Sequence, residues 1–263
     1  MKEIISLDDF DLDETLDCGQ AFRFEKQDDG SYKGFAKDKF LHISKIKNGY
    51  LIEGDGSKEF WLDYFDYKTD YNKLKKSYSK DKTLKSACAY AGGIRLLKQD
   101  AFESLISFII SQNNNIPRIK GIISRLCENF GKKTKNGYAF PTVKDLSGVS
   151  EEDLSVLRAG FRTKYIVDAV KKVESKEIDL EKVSKMPLDE ARQSLMSIKG
   201  VGPKVAECVL LYGMHKTEAF PIDVWVKRVL NTYYPKGFPK EYKDTAGIAQ
   251  QYLFHYVRTA KEK

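Results

Sequence analysis

The chain has little cysteine: four residues in 263, at positions 18, 88, 127 and 208. They are scattered, with no Cys-x-x-Cys pair and no cluster at metal-ligand spacing. That argues against a disulfide framework, a zinc site or an iron–sulfur cluster, and for a reducing compartment. No apolar run approaches the roughly 18 residues of a membrane-spanning helix. There is no internal repeat and no low-complexity tract. The opening segment carries Asp8, Asp9, Asp11, Asp13 and Glu14, too acidic for a transit peptide. These absences point to an intracellular protein.

What is present describes a folded, mildly basic chain. Hydrophobic residues make up 41% and charged residues 32%, and the length suffices for a substantial core in one large or two modest domains. The formal net charge of +7 fits a polyanionic partner without demanding one. The first hundred residues read largely as β. Ala21–Phe24, Tyr32–Phe35, Phe40–Ile43 and Tyr50–Glu53 are short aromatic or β-branched runs. An Asp-Gly turn at 29–30 and an Asn-Gly turn at 48–49 punctuate them, which is hairpin chemistry. Residues 58–67 and 71–90 carry helical spacing, with Phe60, Trp61, Tyr64 and Phe65 as core aromatics. An antiparallel sheet with flanking helices over residues 1–99 is therefore expected.

From Asp100 the pattern becomes helical, and residues 100–263 are expected to form a second, all-α domain. Phe102, Leu105, Ile106, Ile109 and Ile110 share one helix face; Ile119, Ile122, Ile123, Leu126 and Phe130 share another. Between them lies Ser111-Gln112-Asn113-Asn114-Asn115. Three asparagines break a helix readily. Their amides also carry donors and an acceptor suited to the gap left when a base leaves a duplex. Further helices are expected over 150–158, 165–175, from after Asp223 to Tyr234, and from Asp244 to about Ala260. The turn Gly160-Phe161-Arg162-Thr163-Lys164-Tyr165 sets an aromatic beside cations, either a surface loop or a wedge-and-reader device.

The most informative stretch runs from Ala191 to Asp223. An amphipathic segment with Leu195 and Ile198 leads into the hairpin Lys199-Gly200-Val201-Gly202, and Pro203 opens a second apolar helix. Proline suits a first helical position because its missing N–H would be unpaired there. Glycines on both sides of Val201 allow a sharp turn and close approach to another object. The first N–H groups of the second helix then suit a phosphate. The reading is a helix-hairpin-helix, at about residues 190–214, that grips a nucleic-acid backbone.

Lys204 stands in the first turn of the second helix, and Asp223 lies nineteen residues on, after Pro221. An amine that attacks carbon must be neutral. From a free lysine pKa of about 10.4, neutrality at pH 7 costs roughly 4.6 kcal/mol, so a site that uses Lys204 must depress that value. Alone, each residue has a plainer reading: a solvated lysine, and an aspartate capping the next helix. In combination, Gly-Val-Gly-Pro-Lys followed by Pro-Ile-Asp supplies a nucleophile and a carboxylate.

This segment resembles the signature of the helix-hairpin-helix/Gly-Pro-Asp superfamily of base-excision DNA glycosylases, and the chain as a whole is similar to the 8-oxoguanine DNA glycosylase family. The scattered cysteines set it apart from the superfamily's iron–sulfur branch. The resemblance implies that Lys204 is the lyase nucleophile and Asp223 the catalytic aspartate. Cys18-Gly19-Gln20-Ala21-Phe22-Arg23 resembles the segment whose glycine carbonyl, here Gly19, accepts the N7–H of 8-oxoguanine. By the same match Cys208 and Phe254 flank the flipped base and Gln250 bonds its Watson–Crick edge. By that match Asn113 occupies the vacated space, and Asn115 is a further DNA-binding residue of the same segment. Arg118 and Arg162 read the opposite cytosine, and Phe161 wedges the stack where familiar members carry tyrosine. Gly200, Val201 and Gly202 hold the backbone. Trp225 replaces a histidine that members of the family place near a phosphate.

The expected activity is excision of 8-oxoguanine, preferably opposite cytosine, from double-stranded DNA. Lys204 attacks C1′, and β-elimination then nicks the strand. No cofactor and no metal are expected, and the protein is expected to act as a monomer in a prokaryotic cytoplasm. Two alternatives stay open at this point: a glycosylase for another damaged base, and a non-catalytic lesion-binding module.

Overall fold

Alternation of apolar and polar residues builds a five-stranded antiparallel sheet, in the order β1-β5-β4-β3-β2. A computed structural model describes residues 1–260. The strands are β1 (Lys2–Ile5), β2 (Phe24–Lys26), β3 (Tyr32–Ala36), β4 (Lys39–Ile46) and β5 (Gly49–Gly54). Register places Tyr32 opposite Ile43, and Ile43 opposite Ile52. This row is fully buried and faces Leu16 of helix α1 (Leu12–Leu16) and Trp61 of α2 (Lys58–Tyr64) within one core. β1 escaped the sequence reading because only Ile5 of its four residues is buried, leaving no alternation to detect.

The expected helix over 71–90 is two helices, α3 (Tyr71–Tyr78) and α4 (Lys82–Tyr90). Asp81 separates them by accepting the Leu84 N–H at 2.8 Å, a side-chain cap that competes with helix continuation. Both helices contribute to the second core, with Tyr71, Tyr78, Leu84 and Ala87 buried there. An extended segment then threads between the two cores: Leu96 enters the second and Leu97 the first.

The helical part continues with α5 (Ala101–Ser111), α6 (Ile116–Phe130) and a two-residue ribbon, β6 (Lys133–Thr134) and β7 (Gly137–Tyr138). There follow α7 (Thr163–Glu174), α8 (Leu180–Lys185), α9 (Leu188–Met196), α10 (Pro203–Cys208), α11 (Val224–Tyr233) and α12 (Ala246–Thr259). The helix expected at 150–158 is a single 3-10 stretch, Asp153–Leu157, stopped by Arg158 in the left-handed region at φ 54°. α5 is buried on nearly every side, and α10 and its continuation pack against it. The lysine-bearing helix is thus packed against a helix buried on nearly every side. Among the described residues no helix is long and apolar enough to cross a membrane.

Candidate active site

The hairpin after α9 is closed by Val201 N–H donating to Ile198 O at 3.0 Å. Gly200 sits at φ +79°, and a Cβ there would lie 2.4 Å from the ring of Tyr165. Only glycine fits this turn against that ring. Lys199 N–H donates to Asp168 Oδ2 of α7 at 2.7 Å, which pins the hairpin's base. Gly202, by contrast, faces open space, with nothing within 4 Å of a built Cβ. It caps α10 without any side-chain hydrogen bond.

Two residues into α10, half-buried Lys204 points its ammonium over the Phe108 ring, 5.3 Å from the centroid, and 3.4 Å from Ser111 Oγ. Cys208 follows one turn later and Tyr212 two turns later, on the same side. Beyond Cys208 the helix widens into a π-helical turn, Val209–Gly213, a distortion that often marks functional sites. Tyr212 stacks on Phe108, with centroids 5.2 Å apart. Burial pushes the Cys208 thiol up to about 11 despite the opposing pull of Lys204, so it is a neutral thiol at pH 7.

Asp223 caps α11: its Oδ1 accepts the N–H groups of Trp225 and Val226 at 3.0 and 2.8 Å. The capping role is therefore real, and it consumes one oxygen only. Among the described residues no group donates to Oδ2. The approach to Asp223 is held by Glu207, which accepts the Phe220 N–H at 2.6 Å and pairs with Arg192.

Lys204, Cys208 and Asp223 line one small cavity together with Gly19, Gln250 and Phe254; Phe108, Tyr212 and Pro221 complete its wall. Six residues singled out from three distant sequence segments thus meet in one place. Gly19 arrives from the sheet side at φ +87°. Gln250, on α12, is 3% exposed, and its Oε1 is buried without a partner. An unpaired buried amide oxygen is uncommon in a folded protein and calls for a donor from outside. Burial also holds the neighbouring His255 down at about 4, neutral at physiological pH.

The residues assigned to DNA contact divide. Asn113 is exposed in the left-handed region, φ +46°. Asn114 Nδ2 donates to Ile110 O at 3.1 Å, and Asn115 caps α6 by accepting the Arg118 N–H at 3.0 Å. The Arg118 side chain is exposed, and Phe161 is 49% exposed. Arg162 differs from expectation: it is 2% exposed, turned inward, and donates to the carbonyls of Ala159 (3.0 Å), Asn113 (2.9 Å) and Gln112. In this structure it ties the wedge loop to the asparagine segment and is not poised toward an incoming base. Trp225 is half-buried under Arg228, whose guanidinium lies 4.9 Å from its ring.

Sequence reasoning passed over Tyr212, Phe108 and Glu207, and used Pro221 only as part of the Pro-Ile-Asp motif. The four-residue stride 204, 208, 212 would have found Tyr212. Phe108 read only as one more apolar residue of a buried helix, and nothing local marks Glu207 as the support of a segment thirteen residues away.

The cavity, the hairpin and the surrounding helices are those of a helix-hairpin-helix DNA glycosylase. Residues 106–252 match the model of the HhH-GPD superfamily base excision DNA repair protein, and residues 4–105 match that of the 8-oxoguanine DNA glycosylase, N-terminal domain. The chain belongs to the 8-oxoguanine DNA glycosylase/AP lyase family of that superfamily. It is 34% identical over 228 residues to a probable N-glycosylase/DNA lyase of Methanothermobacter thermautotrophicus, covering 74% of this chain and 72% of that one. A structure of MBOgg1 with a low-affinity DNA ligand superposes with a TM-score of 0.92 at 42% identity, over 99% of this chain and 96% of that one. The Clostridium acetobutylicum 8-oxoguanine glycosylase/lyase, solved with double-stranded DNA containing cytosine opposite 8-oxoguanine, gives a TM-score of 0.91 at 38% identity. That match covers 99% of this chain and 98% of that one.

Proposed function

We propose that this protein excises 8-oxoguanine from double-stranded DNA and then nicks the strand at the resulting abasic site. One observation carries the reading: a lysine, a carboxylate with an unengaged oxygen and an unpaired buried amide oxygen converge on a single cavity. The flipped nucleotide enters there, with Phe161 filling the stack it leaves. Gly19 accepts N7–H, a proton that 8-oxoguanine has and guanine lacks, so one carbonyl attracts the lesion and opposes the normal base. Gln250 Oε1 takes a donor from the Watson–Crick edge, and Phe254 and Cys208 hold the two faces.

Neutral Lys204 attacks C1′. The new N–C bond forms as the glycosidic bond breaks, and the bonding pair leaves with the base. Asp223 Oδ2 stabilises positive charge developing on the sugar, takes the lysine's surplus proton and passes it to the departing base anion. Ring opening gives a Schiff base between Lys204 and C1′. Loss of a C2′ proton then expels the 3′ phosphate by β-elimination. The N–H groups at Gly202 and the first turn of α10 receive a backbone phosphate, with Gly200 and Val201 shaping the hairpin and Trp225 contacting the strand nearby. Asn113 and Asn115 edge the vacated space. Arg118 meets the opposite cytosine directly; Arg162 joins it after releasing its carbonyl partners. The four free thiols suit work in a reducing cytoplasm.

The test is base release, measured by mass, from duplexes carrying 8-oxoguanine, 3-methyladenine or thymine glycol, each opposite cytosine and the other bases. Release of 8-oxoguanine, fastest opposite cytosine, is the expected result. Release of another lesion with 8-oxoguanine untouched would assign a different glycosylase, and tight binding with no release would make the protein a lesion-binding module. Equal rates opposite all four bases would remove the assigned role of Arg118 and Arg162.

A further inference from the structure

Gln251 lies beside Gln250 on α12 and is 1% exposed. Its amide is spent inside the protein. Oε1 accepts the Tyr212 hydroxyl at 2.6 Å, and Nε2 donates to the Cys18 carbonyl at 3.3 Å, across 233 residues of sequence. The Cys18 carbonyl belongs to the peptide unit that leads into Gly19. On the other side of Gly19, Gln20 is fully buried. Its side chain donates to Arg95 O and Thr15 O and accepts Leu97 N–H, while its own carbonyl accepts Gln99 Nε2 at 2.7 Å. Gly19 is thus held at both flanks, whereas none of the described residues donates to its own carbonyl.

The two flanking restraints differ in origin. Gln20 ties Gly19 to the segment between the two cores. Gln251 ties it to the helix that carries Lys204, because Tyr212 is two turns further along that helix. We propose that Gln251, braced by Tyr212, is a positioning residue for lesion specificity: it sets the distance between the carbonyl that reads N7–H and the amine that attacks C1′. The inference rests on the reading of Gly19 given above. It requires no contact between Gln251 and DNA. It requires that the base be placed correctly only when Cys18 O is held from the α12 side. An abasic site has no base to place, so its cleavage by Lys204 does not depend on this link.

The experiment compares single-turnover base excision on an 8-oxoguanine·cytosine duplex with cleavage of an abasic duplex, for wild type, Gln251→Met and Gln251→Glu. Methionine keeps the length and forms neither bond. Misplacement of reacting groups by about 1 Å costs up to roughly 100-fold, so Gln251→Met is expected to lose about 10- to 100-fold in excision with abasic cleavage within about twofold. Gln251→Glu, ionised, faces the Cys18 carbonyl with a like partial charge; protonated, it donates there and still accepts from Tyr212. Its excision relative to wild type at the same pH is therefore expected to recover as the solution is acidified, while the abasic-cleavage ratio stays flat.

A merely structural role predicts parallel loss of both activities and no acid recovery, and that result would overturn the proposal. Unchanged excision in Gln251→Met would do so equally. Should Gln251→Met fail to fold, Gln251→Asn, which keeps an amide but is one methylene too short to reach both Tyr212 and the Cys18 carbonyl, must show the same split. A wild-type protein that leaves 8-oxoguanine in place would instead defeat the functional reading beneath it, and the wild-type lane reports that separately.

Discussion

Gly200 and Gly202 flank one valine and do different work, and substituting each by alanine separates folding from DNA grip. At Gly200 the added methyl meets the Tyr165 ring at 2.4 Å in a left-handed backbone. The conformational penalty is roughly 1–2 kcal/mol and overpacking adds roughly 1–3 kcal/mol. Gly200→Ala should therefore cost about 2–5 kcal/mol, lowering Tm by roughly 4–20 °C for a chain of this size. At Gly202 the backbone is extended and the methyl points into open space. Replacing a glycine cap by alanine forfeits most of the cap preference, roughly 0.5–1 kcal/mol, well below the cost at Gly200. The proposed phosphate position lies in that open space, and losing one charge-assisted bond worth about 1.5–3 kcal/mol weakens binding about tenfold or more. Calorimetry and fluorescence anisotropy on damaged and undamaged duplexes read the two effects. A Tm loss at Gly202→Ala equal to that at Gly200→Ala, or full DNA affinity at Gly202→Ala, would show that the two glycines do not divide folding and DNA grip.

Three other perturbations follow from the same geometry. Gln250→Leu removes an unpaired buried oxygen, so Tm should hold or rise while 8-oxoguanine excision falls by roughly tenfold or more; differential scanning fluorimetry and single-turnover kinetics check both. Phe161→Ala, at a half-exposed site, should leave Tm unchanged and slow base flipping, seen with a fluorescent base analogue beside the lesion. For His255, the folded imidazole titrates at about 4 against 6.5 for the unfolded one. Between those values the unfolded chain binds the extra proton, so its contribution is intact above pH 6.5 and is lost as pH falls toward 4. A His255→Gln variant should show a flatter Tm-versus-pH curve across that window.

Much of this site was legible because its parts announce themselves locally. A Gly-x-Gly turn before Pro203, a lysine and cysteine one helical turn apart, and Gln250 and Phe254 at the same interval each point to one side of an element. What was not legible depends on partners far away in sequence. Asp223 looks like any helix cap until its two oxygens are seen to be used unequally. Arg162 carries the right charge in the right loop, yet only the fold reveals that backbone carbonyls of the asparagine segment satisfy it first. β1 buries only Ile5 and the β6–β7 ribbon fully buries none of its four residues, so burial wrote no pattern into them. Gln251 was hidden by its neighbour: two adjacent glutamines on a buried helix face opposite partners, one left open and one fully bonded.

The proposed mechanism requires that Lys204 form a covalent bond to the sugar of an 8-oxoguanine nucleotide. Borohydride reduction during reaction with an 8-oxoguanine·cytosine duplex, followed by proteolysis and mass mapping of the adduct, tests it directly. The expected result is the reduced sugar on the peptide containing Lys204, and no adduct from Lys204→Gln, whose folding is checked in parallel. An adduct on another residue, or base release with no adduct at all, would contradict it.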